Sequence, residues 1–316
     1  MKKYIIKRIL IFIPVLFMIS IGAFLIVNLA PGNPVDMYVS PDMTVEQIQA
    51  TKEALGLNDP LIVQYAKWVT NIMRGNLGFS FSSRIPVSTI LSQRVGPTLL
   101  LMSISLVVAY ALAIPLGILS AKKQNSIVDY VVTGLSFTGI SLPSFFLGLG
   151  LIYVFAVQLK WLPTGGTKLL GVDGGIADKL RHLILPVIVL ATQFAANMIR
   201  YARSSMIDVY NENYMRTAVA KGLKPMQILK DHGVRNALIP IITVIGADIP
   251  KIVGGAIVTE QIFQWPGIGS LMVASINSRD YPVLMAITMI SAVAVLVANI
   301  LVDIMYAVVD PRIKFS

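Results

Sequence analysis

The distribution of charge along the chain is the feature that most limits how it can fold. Five long stretches contain no Asp, Glu, Lys or Arg, and a sixth contains only Asp248 and Lys251. The six stretches are residues 9–35, 95–121, 130–159, 183–199, 236–259 and 281–302. A helix needs about 20 mostly apolar residues to cross the hydrocarbon core of a bilayer. The pattern therefore predicts an all-α, polytopic membrane protein with six transmembrane helices.

Composition excludes several other classes of protein. Of the 316 residues, 55% are apolar and 13% are charged, whereas soluble domains carry roughly 25% charged residues. This balance excludes a disordered tail, a collagen-like chain and an ordinary cytosolic enzyme. The chain has no cysteine, so disulfides and thiolate metal sites are excluded. His182 and His232 fall at predicted membrane borders without a second ligand at metal-binding spacing, so we expect interfacial roles and no metal site.

Charge asymmetry between the loops indicates the orientation. With the N-terminus in the cytoplasm, the segments on that side hold 15 Lys and Arg against 5 Asp and Glu. The external segments then hold 10 Lys and Arg against 9 Asp and Glu. Cytoplasmic loops usually carry the excess of Lys and Arg. We therefore expect both termini in the cytoplasm, and we attribute the net charge of +10 to orientation in a lipid bilayer, with no nucleic-acid partner.

The predicted spans divide the chain into four parts. They are an N-terminal tail and first helix (1–31), an external loop (32–94), a membrane core (95–309) and a cytoplasmic tail (310–316). Within the core, we expect transmembrane helices at about 97–121, 130–158, 182–202, 237–259 and 282–308, and a cytoplasmic loop at 203–236.

The external loop is predicted to be structured. Thr44 and Gln47 have capping-box spacing, and the helix they begin would end at Gly56. Asp59-Pro60 offers an N-cap and a first-turn proline for a second helix. Its apolar face would hold residues Ile62, Tyr65, Val69, Ile72 and Met73. Such helices either lie on the outer membrane face or a partner, or pack as a compact cap on this chain's own helices.

The cytoplasmic segment 200–235 is basic and helix-prone. Glu212 to Val219 can form a short helix, which Gly222 would end, and Pro225 can open another. A slim helix with Ala218 and Ala220, held at the membrane surface, would suit a groove on another protein. The simpler interpretation is a solvated, positively charged loop.

Four polar residues in or beside the predicted spans are candidates for a translocation path. Asp248 and Lys251 are three residues apart, so they share a helical face. They form either a self-neutralising pair or part of a substrate path, because charges in the membrane are costly unless paired or hydrated. Asp303 is either a helix-packing hydrogen-bond acceptor or a substrate ligand. Asn28 offers an amide to the same path.

Seven motifs occur in order along the chain. They are Ala30-Pro-Gly-Asn-Pro34, Gly75-Asn-Leu-Gly-Phe79, Arg200-x-x-Arg-Ser-Ser-Met206, Tyr214-Met-Arg-Thr-Ala-Val-Ala-Lys-Gly222 with Arg235-Asn-Ala-Leu-Ile-Pro240, Glu260-x-Ile-Phe-x-Trp-Pro-Gly-Ile-Gly269, Arg279-Asp-Tyr-Pro282 and Val309-Asp-Pro-Arg312. Over essentially its whole length the chain resembles the dipeptide/oligopeptide branch of ABC-importer permeases. The resemblance implies the type-1 importer permease fold, with six transmembrane helices in a bacterial-type plasma (inner) membrane.

This resemblance also implies a coupling role for the cytoplasmic loop. In such permeases a short helix of the loop sits in a cleft of the ATP-binding subunit. By position, that role falls on residues Arg216, Thr217, Ala218, Ala220 and Gly222. Arg216 stands where a Glu is usual in importers generally, so no Glu-mediated contact is expected.

The implied function is ATP-driven import of peptides. The resemblance implies four further components, namely a second related permease subunit, two ATP-binding subunits and an external peptide-binding protein. A phosphate-binding P-loop needs Gly-Lys followed by Ser or Thr, and this chain contains no Gly-Lys dipeptide. We therefore expect no enzyme activity and no cofactor here, with ATP and Mg²⁺ on the partner subunits. Nickel and glutathione remain alternative substrates within the family, and an ion-coupled secondary transporter is a more distant alternative.

Overall fold

The structure is a computed structural model in which every element of the described chain is helical, apart from one bridge between Phe79 and Pro86. It describes residues 2–29, 58–168 and 174–309, together with 44, 46, 47, 49 and 53, and it leaves aside the side chains of 2–7, 9, 225, 239 and 306–309. The helices are α1 (Lys2–Leu29), α2 (Leu61–Met73), α3 (Val87–Lys122), α4 (Ile127–Ser141), α5 (Ser144–Leu151), α6 (Gly175–Asn211), α7 (Asn213–Ala220), α8 (Pro225–Gln227), α9 (Arg235–Gly254), α10 (Ile257–Ile262), α11 (Ile268–Asn277) and α12 (Tyr281–Val309). Two π-helical turns, Ile152–Gln158 and Ile228–Val234, extend α5 and join α8 to α9.

Membrane-crossing helices account for most of this architecture. Four stretches of the described chain are long and apolar enough to cross a bilayer, and two bent helix pairs raise the number to six if each pair is one span. The four are Leu10–Leu29, Val87–Lys122, Gly175–Asn211 and Tyr281–Met305. The prediction of an all-helical polytopic membrane protein is therefore confirmed.

Two predicted spans are broken rather than continuous. Within 130–158, α4 and the helix that starts at Ser144 meet at 101°. Leu142 before Pro143 is extended (φ −78°, ψ 119°), because a residue that precedes proline is disfavoured in the helical region. The predicted span 237–259 is bent by 41° near Pro240 and ends at Gly254. Gly255 then takes a positive φ of 72°, which glycine adopts at little cost.

Close helix contacts in the core use glycine. A Cβ added to Gly117 of α3 would lie 2.6 Å from Ala202 Cβ and 2.8 Å from the Ile199 carbonyl oxygen of α6. A Cβ on Gly139 of α4 would lie 3.1 Å from Ala196 Cβ, also on α6. Small residues let membrane helices approach closely. Helix α6 is therefore the element on which α3 and α4 both pack.

The cap helix α2 packs on α1. The Tyr65 ring lies 5.4 Å from that of Phe24, and its hydroxyl is 2.7 Å from Ser20 Oγ. Of the predicted apolar face, Tyr65, Val69 and Ile72 are half-buried, whereas Ile62 and Met73 are more than 80% exposed. For this helix the structure favours a cap on the chain's own helices.

Of the two helix starts predicted in the external loop, the one at Asp59 differs from the structure and the one at Thr44 has the predicted capping bonds. The α2 N-cap is Pro60 and not Asp59, and the Asp59 carboxylate instead pairs with Lys67 at 2.6 Å. Thr44 and Gln47 do exchange the reciprocal capping bonds, at 3.0 and 3.4 Å. The predicted end of that first helix at Gly56 lies outside the described residues.

We expect Gly117→Ala to lower the free energy of unfolding by about 1–3 kcal/mol, because the new Cβ meets backbone and a packed Ala202. Gly134→Ala in α4 is the matched control. A Cβ there has nothing within 4 Å, so helix propensity alone should stabilise by up to about 1 kcal/mol. Thermal unfolding of the purified chain in one detergent checks both variants. Equal midpoints would contradict the packing assignment.

Candidate functional site

The predicted docking segment forms a short helix followed by a glycine turn. Helix α7 runs from Asn213 to Ala220, and Lys221 is its C-cap. Gly222 has a φ of +72°, and a Cβ there would meet nothing within 4 Å. The turn therefore depends on the backbone freedom of glycine and not on close contact.

The helix α7 has an inner and an outer face. Met215 and Ala218 are each only 4% exposed, whereas Arg216, Thr217, Ala220 and Gly222 are exposed. Of the five predicted coupling residues, Ala218 therefore packs inside this chain and the other four form an outer surface. The resemblance of the motif alone could not show which of these five residues face inward and which face outward.

Apolar side chains beside that surface were missed by the sequence analysis. Val219 is 64% exposed and Met226 is 67% exposed. Val219 lines a groove of about 580 Å³, together with Met215 and Arg216 of α7 and with Lys122 and Leu223. Partial burial raises the pKa of the Tyr214 phenol, and the nearby Glu212 carboxylate raises it further. The phenol therefore stays protonated. No periodic signal marks these apolar residues, because α7 ends at Ala220 and the turn at Gly222 separates Val219 from Leu223 and Met226.

The inner face of α7 is continuous with the membrane helices. Met215 and Ala218 pack in one cluster with Met206 of α6, Ile228 of the π-helical turn and Ala237 of α9. A direct hydrogen bond, from Ser205 Oγ to the Ala237 carbonyl oxygen, joins α6 to α9 at 3.1 Å. Close-packed interiors transmit displacement. A push on α7 therefore reaches two membrane helices at once.

Asp248 and Lys251 lie together on α9 as their spacing predicts. Lys251 Nζ is 2.7 Å from Asp248 Oδ1, and Tyr110 of α3 donates its hydroxyl to Asp248 Oδ2 at 2.6 Å. The side chain of Asp248 is 8% exposed and that of Lys251 is 61% exposed. The carboxylate is thus buried and fully engaged, while the ammonium remains accessible.

The other two path candidates lie elsewhere. Asp303 of α12 pairs with Arg8 of α1, at 3.0 Å from Nε. This contact joins the first and last helices, and the two helix ends that it links lie far from Asn28. Asn28 donates to the Phe24 carbonyl oxygen at 2.9 Å and lines a cavity of about 370 Å³ beneath α2. The structure therefore brings Asp248 and Lys251 together, whereas Asp303 and Asn28 each have a different partner.

The buried carboxylate of Glu260 was missed. Glu260 is 0% exposed. It accepts hydrogen bonds from Thr98 Oγ1 and from the Ser270 backbone N–H, both at 2.9 Å. A Cβ on Gly267 would lie 2.3 Å from this carboxylate. The spacing of Glu260, Gly267 and Gly269 in one motif was the signal, because a glycine is needed where a side chain approaches backbone so closely.

A second missed carboxylate lies in the first turn of α4. Asp129, predicted to be in a loop, is 2% exposed. Arg203 of α6 binds it in a bidentate manner, at 2.6 and 2.8 Å, and the Asn125 N–H donates at 3.0 Å. The sequence analysis treated Asp248, Lys251 and Asp303 as the deep ionisable residues. Asp129 and Glu260 lie outside the predicted spans, and their burial depends on which helices meet.

The histidines lie apart from one another. His182 is 4% exposed, and its Nδ1 is 2.9 Å from the Asp178 carbonyl oxygen, so its predicted interfacial position is a buried one. His232 is half-buried on the π-helical turn before α9. Across the described residues, no three His, Asp or Glu side chains converge as a metal site.

Comparison with known proteins places this architecture in a family. A family model described as the binding-protein-dependent transport system inner membrane component matches residues 113–315, and a model of the N-terminal part of such components matches residues 1–102. The oligopeptide transport system permease protein AppB of Bacillus subtilis (strain 168) is 48% identical over 316 residues, with both chains covered completely. The glutathione transport system permease protein GsiC of Escherichia coli (strain K12) is 39% identical over 316 residues, again with full coverage of both.

Solved structures share the fold. The inward-facing MetNI methionine ABC transporter matches with a TM-score of 0.57 and 16% identity, covering 71% of this chain and 97% of that one. An amino acid ABC transporter solved with histidines matches with a TM-score of 0.52 and 15% identity, covering 69% and 94%. The fold is therefore that of an ABC-importer permease, and the predicted family is confirmed. The chain belongs to the inner membrane components of binding-protein-dependent transport systems, the multi-pass, non-catalytic subunits of ABC importers.

Proposed function

We propose that this chain is a permease subunit of an ATP-driven importer of dipeptides or oligopeptides. The observation that carries the proposal is end-to-end identity of 48% with an oligopeptide permease. A putative peptide permease from Brucella suis biovar 1 (strain 1330) adds 43% identity over 319 residues. The expected partners are a second related permease, two ATP-binding subunits and an external peptide-binding protein.

The outer surface of α7 is proposed to dock on an ATP-binding subunit. Arg216, Thr217, Ala220 and Gly222 would contact it, and Val219 would add an apolar anchor. Ala218 would act from the inside, because it packs against α6 and α9. Closure of the ATP-binding subunits would shift the permease between inward-open and outward-open populations by binding one of them more tightly.

Orientation follows from this docking. Lys122 and Lys123 end α3, and Arg235 begins α9, on the side of the chain that carries α7. Basic residues at these helix ends support a cytoplasmic location. The N- and C-termini would then also be cytoplasmic, because an even number of membrane crossings separates each terminus from the side that carries α7.

A peptide path is proposed along α9, beside Lys251. Its side chain is 61% exposed, so the ammonium can meet a peptide carboxylate while Asp248, which accepts a hydrogen bond from Tyr110, holds the ammonium in place. Asn28 would line a separate, external part of the path. Asp303 is assigned to helix packing, because Arg8 already occupies it.

Glutathione is the second candidate substrate, because GsiC relatives match over the whole chain at 39% identity. Glutathione is itself a tripeptide, so both candidates belong to one chemical class. Free nickel prefers imidazole and similar ligands, and no histidine lies near Lys251 in the described part of α9.

The function is tested by uptake into vesicles that contain the reconstituted complex and its binding protein. We expect ATP-dependent accumulation of a dipeptide, a tripeptide or a pentapeptide, each compared with glutathione and Ni²⁺. Vesicles with the permease subunits alone are the control and should accumulate nothing uphill. Uptake that ignores ATP and follows an ion gradient, or uptake of Ni²⁺ alone, would overturn the proposal.

The path assignment predicts that Lys251→Met slows peptide uptake about tenfold, the effect of losing one charge-assisted hydrogen bond worth about 1.5 kcal/mol. Lys179→Met is the matched control, since it removes the same charge from an exposed position on α6. Initial uptake rates are measured at equal amounts of assembled complex. An unchanged rate and unchanged peptide preference in Lys251→Met would remove this residue from the path.

A further inference from the structure

A pocket between one end of α6 and the adjacent face of α4 has the composition of a site for an anionic headgroup. It encloses about 380 Å³ and is lined by side chains that include Arg200, Arg203, Ser204 and Thr133. Among the described residues that line it, two are arginines and none is a carboxylate. The pocket therefore offers hydrogen-bond donors and positive charge.

The two arginines differ in their partners. Arg203 is neutralised by its bidentate pair with Asp129. Arg200 is exposed, and its guanidinium lies 5.5 Å from the centre of the Phe137 ring. No ion pair to Arg200 occurs within the part of the chain that the structure describes. The net charge of the pocket is therefore that of Arg200, which Phe137 orients through a cation–π contact.

An apolar groove continues from this pocket. It encloses about 320 Å³ between α3, α4 and α6, and it shares Ser136 and Ile199 with the pocket. Its other lining residues include Leu112, Leu135 and Ile188. From Arg200 to Ile188 the helix rises about 18 Å. One leaflet accounts for half of the roughly 30 Å hydrocarbon core. The rise of the helix is close to the thickness of that one leaflet.

We propose that the pocket and the groove together bind one anionic phospholipid. The phosphate would accept hydrogen bonds from Arg200 and Ser204, and one acyl chain would lie along the groove past Leu112. Basic pockets between membrane helices are suited to acidic lipid headgroups, and arginine binds phosphate through its planar fork. The cytoplasmic leaflet is the one concerned if the proposed orientation holds, but the site itself does not depend on the proposed function.

Native mass spectrometry tests binding of palmitoyl-oleoyl phosphatidylglycerol to the full chain, purified with the subunits that accompany it. We expect this lipid to bind more tightly than palmitoyl-oleoyl phosphatidylcholine. Arg200→Gln should weaken phosphatidylglycerol binding about tenfold, and Arg200→Lys should restore part of the loss. Lys123→Gln is the control, because it removes an exposed charge at the same end of the helices and should change nothing. Equal binding of the two lipids, or equal effects of Arg200→Gln and Lys123→Gln, would overturn the proposal.

A second pair of variants separates a lipid from a free phosphate. Leu112→Gln makes the groove polar at a side chain that is 58% exposed, so it should weaken lipid binding without disturbing the fold. Val107→Gln, at 68% exposure on the same helix, is its control. Inorganic phosphate that competes as well as the lipid, with no effect of Leu112→Gln, would indicate a phosphate site and reject the lipid. Loss of partner subunits in Arg200→Gln with unchanged lipid binding would indicate a protein interface instead. Neither assay uses ATP or peptide. A negative result would therefore reject the lipid site without bearing on the proposed import function.

Discussion

The burial of Glu260 is the interaction on which the architecture of the core depends. Backbone polar groups that are buried away from water must find partners within the protein, so a buried break in a helix needs such partners. The chain leaves α9 at Gly254 and runs through α10 and α11 before it enters α12. The Glu260 carboxylate accepts from Thr98 and Ser270 across this region, and Trp265 Nε1 donates to the Pro97 carbonyl oxygen at 3.0 Å. These bonds hold the segment between α9 and α12 against α3.

Packing between helices also connects the membrane core to α7. Helix α7 is too short to be stable alone, since isolated helices below about 12 residues are marginal in water. It is held by Met215 and Ala218 in a cluster that also contains residues of α3, α6 and α9. The contacts that stabilise α7 therefore also join it to the membrane helices. Its outer face is exposed.

Sequence reasoning predicted the fold class from apolar length and charge asymmetry, which are properties of the chain alone, and the family from the resemblance of seven motifs. It also predicted the α7 turn at Gly222 and the Asp248–Lys251 pair, which are local. It did not predict the 101° break at Pro143, the burial of Asp129 and Glu260, or the inward position of Ala218. Each of these depends on which helices meet, as Arg203 meets Asp129 from 74 residues away. The extra length of α3 and α6 beyond the predicted spans also follows from packing, because Val87 and Leu91 of α3 and Met206 and Val209 of α6 are buried there.

The central claim is that a separate ATP-binding subunit holds the outer face of α7 and moves the membrane helices through it. The chain has no cysteine, so a single introduced thiol reports one position. The direct measurement is the yield of cross-linking, by a short bismaleimide, between Thr217→Cys and a cysteine placed in the cleft of the copurified ATP-binding subunit. Asn71→Cys, exposed on the cap helix α2, is the control. The account predicts a cross-link from position 217 and none from position 71; no product from position 217, or equal yields from both, would contradict it.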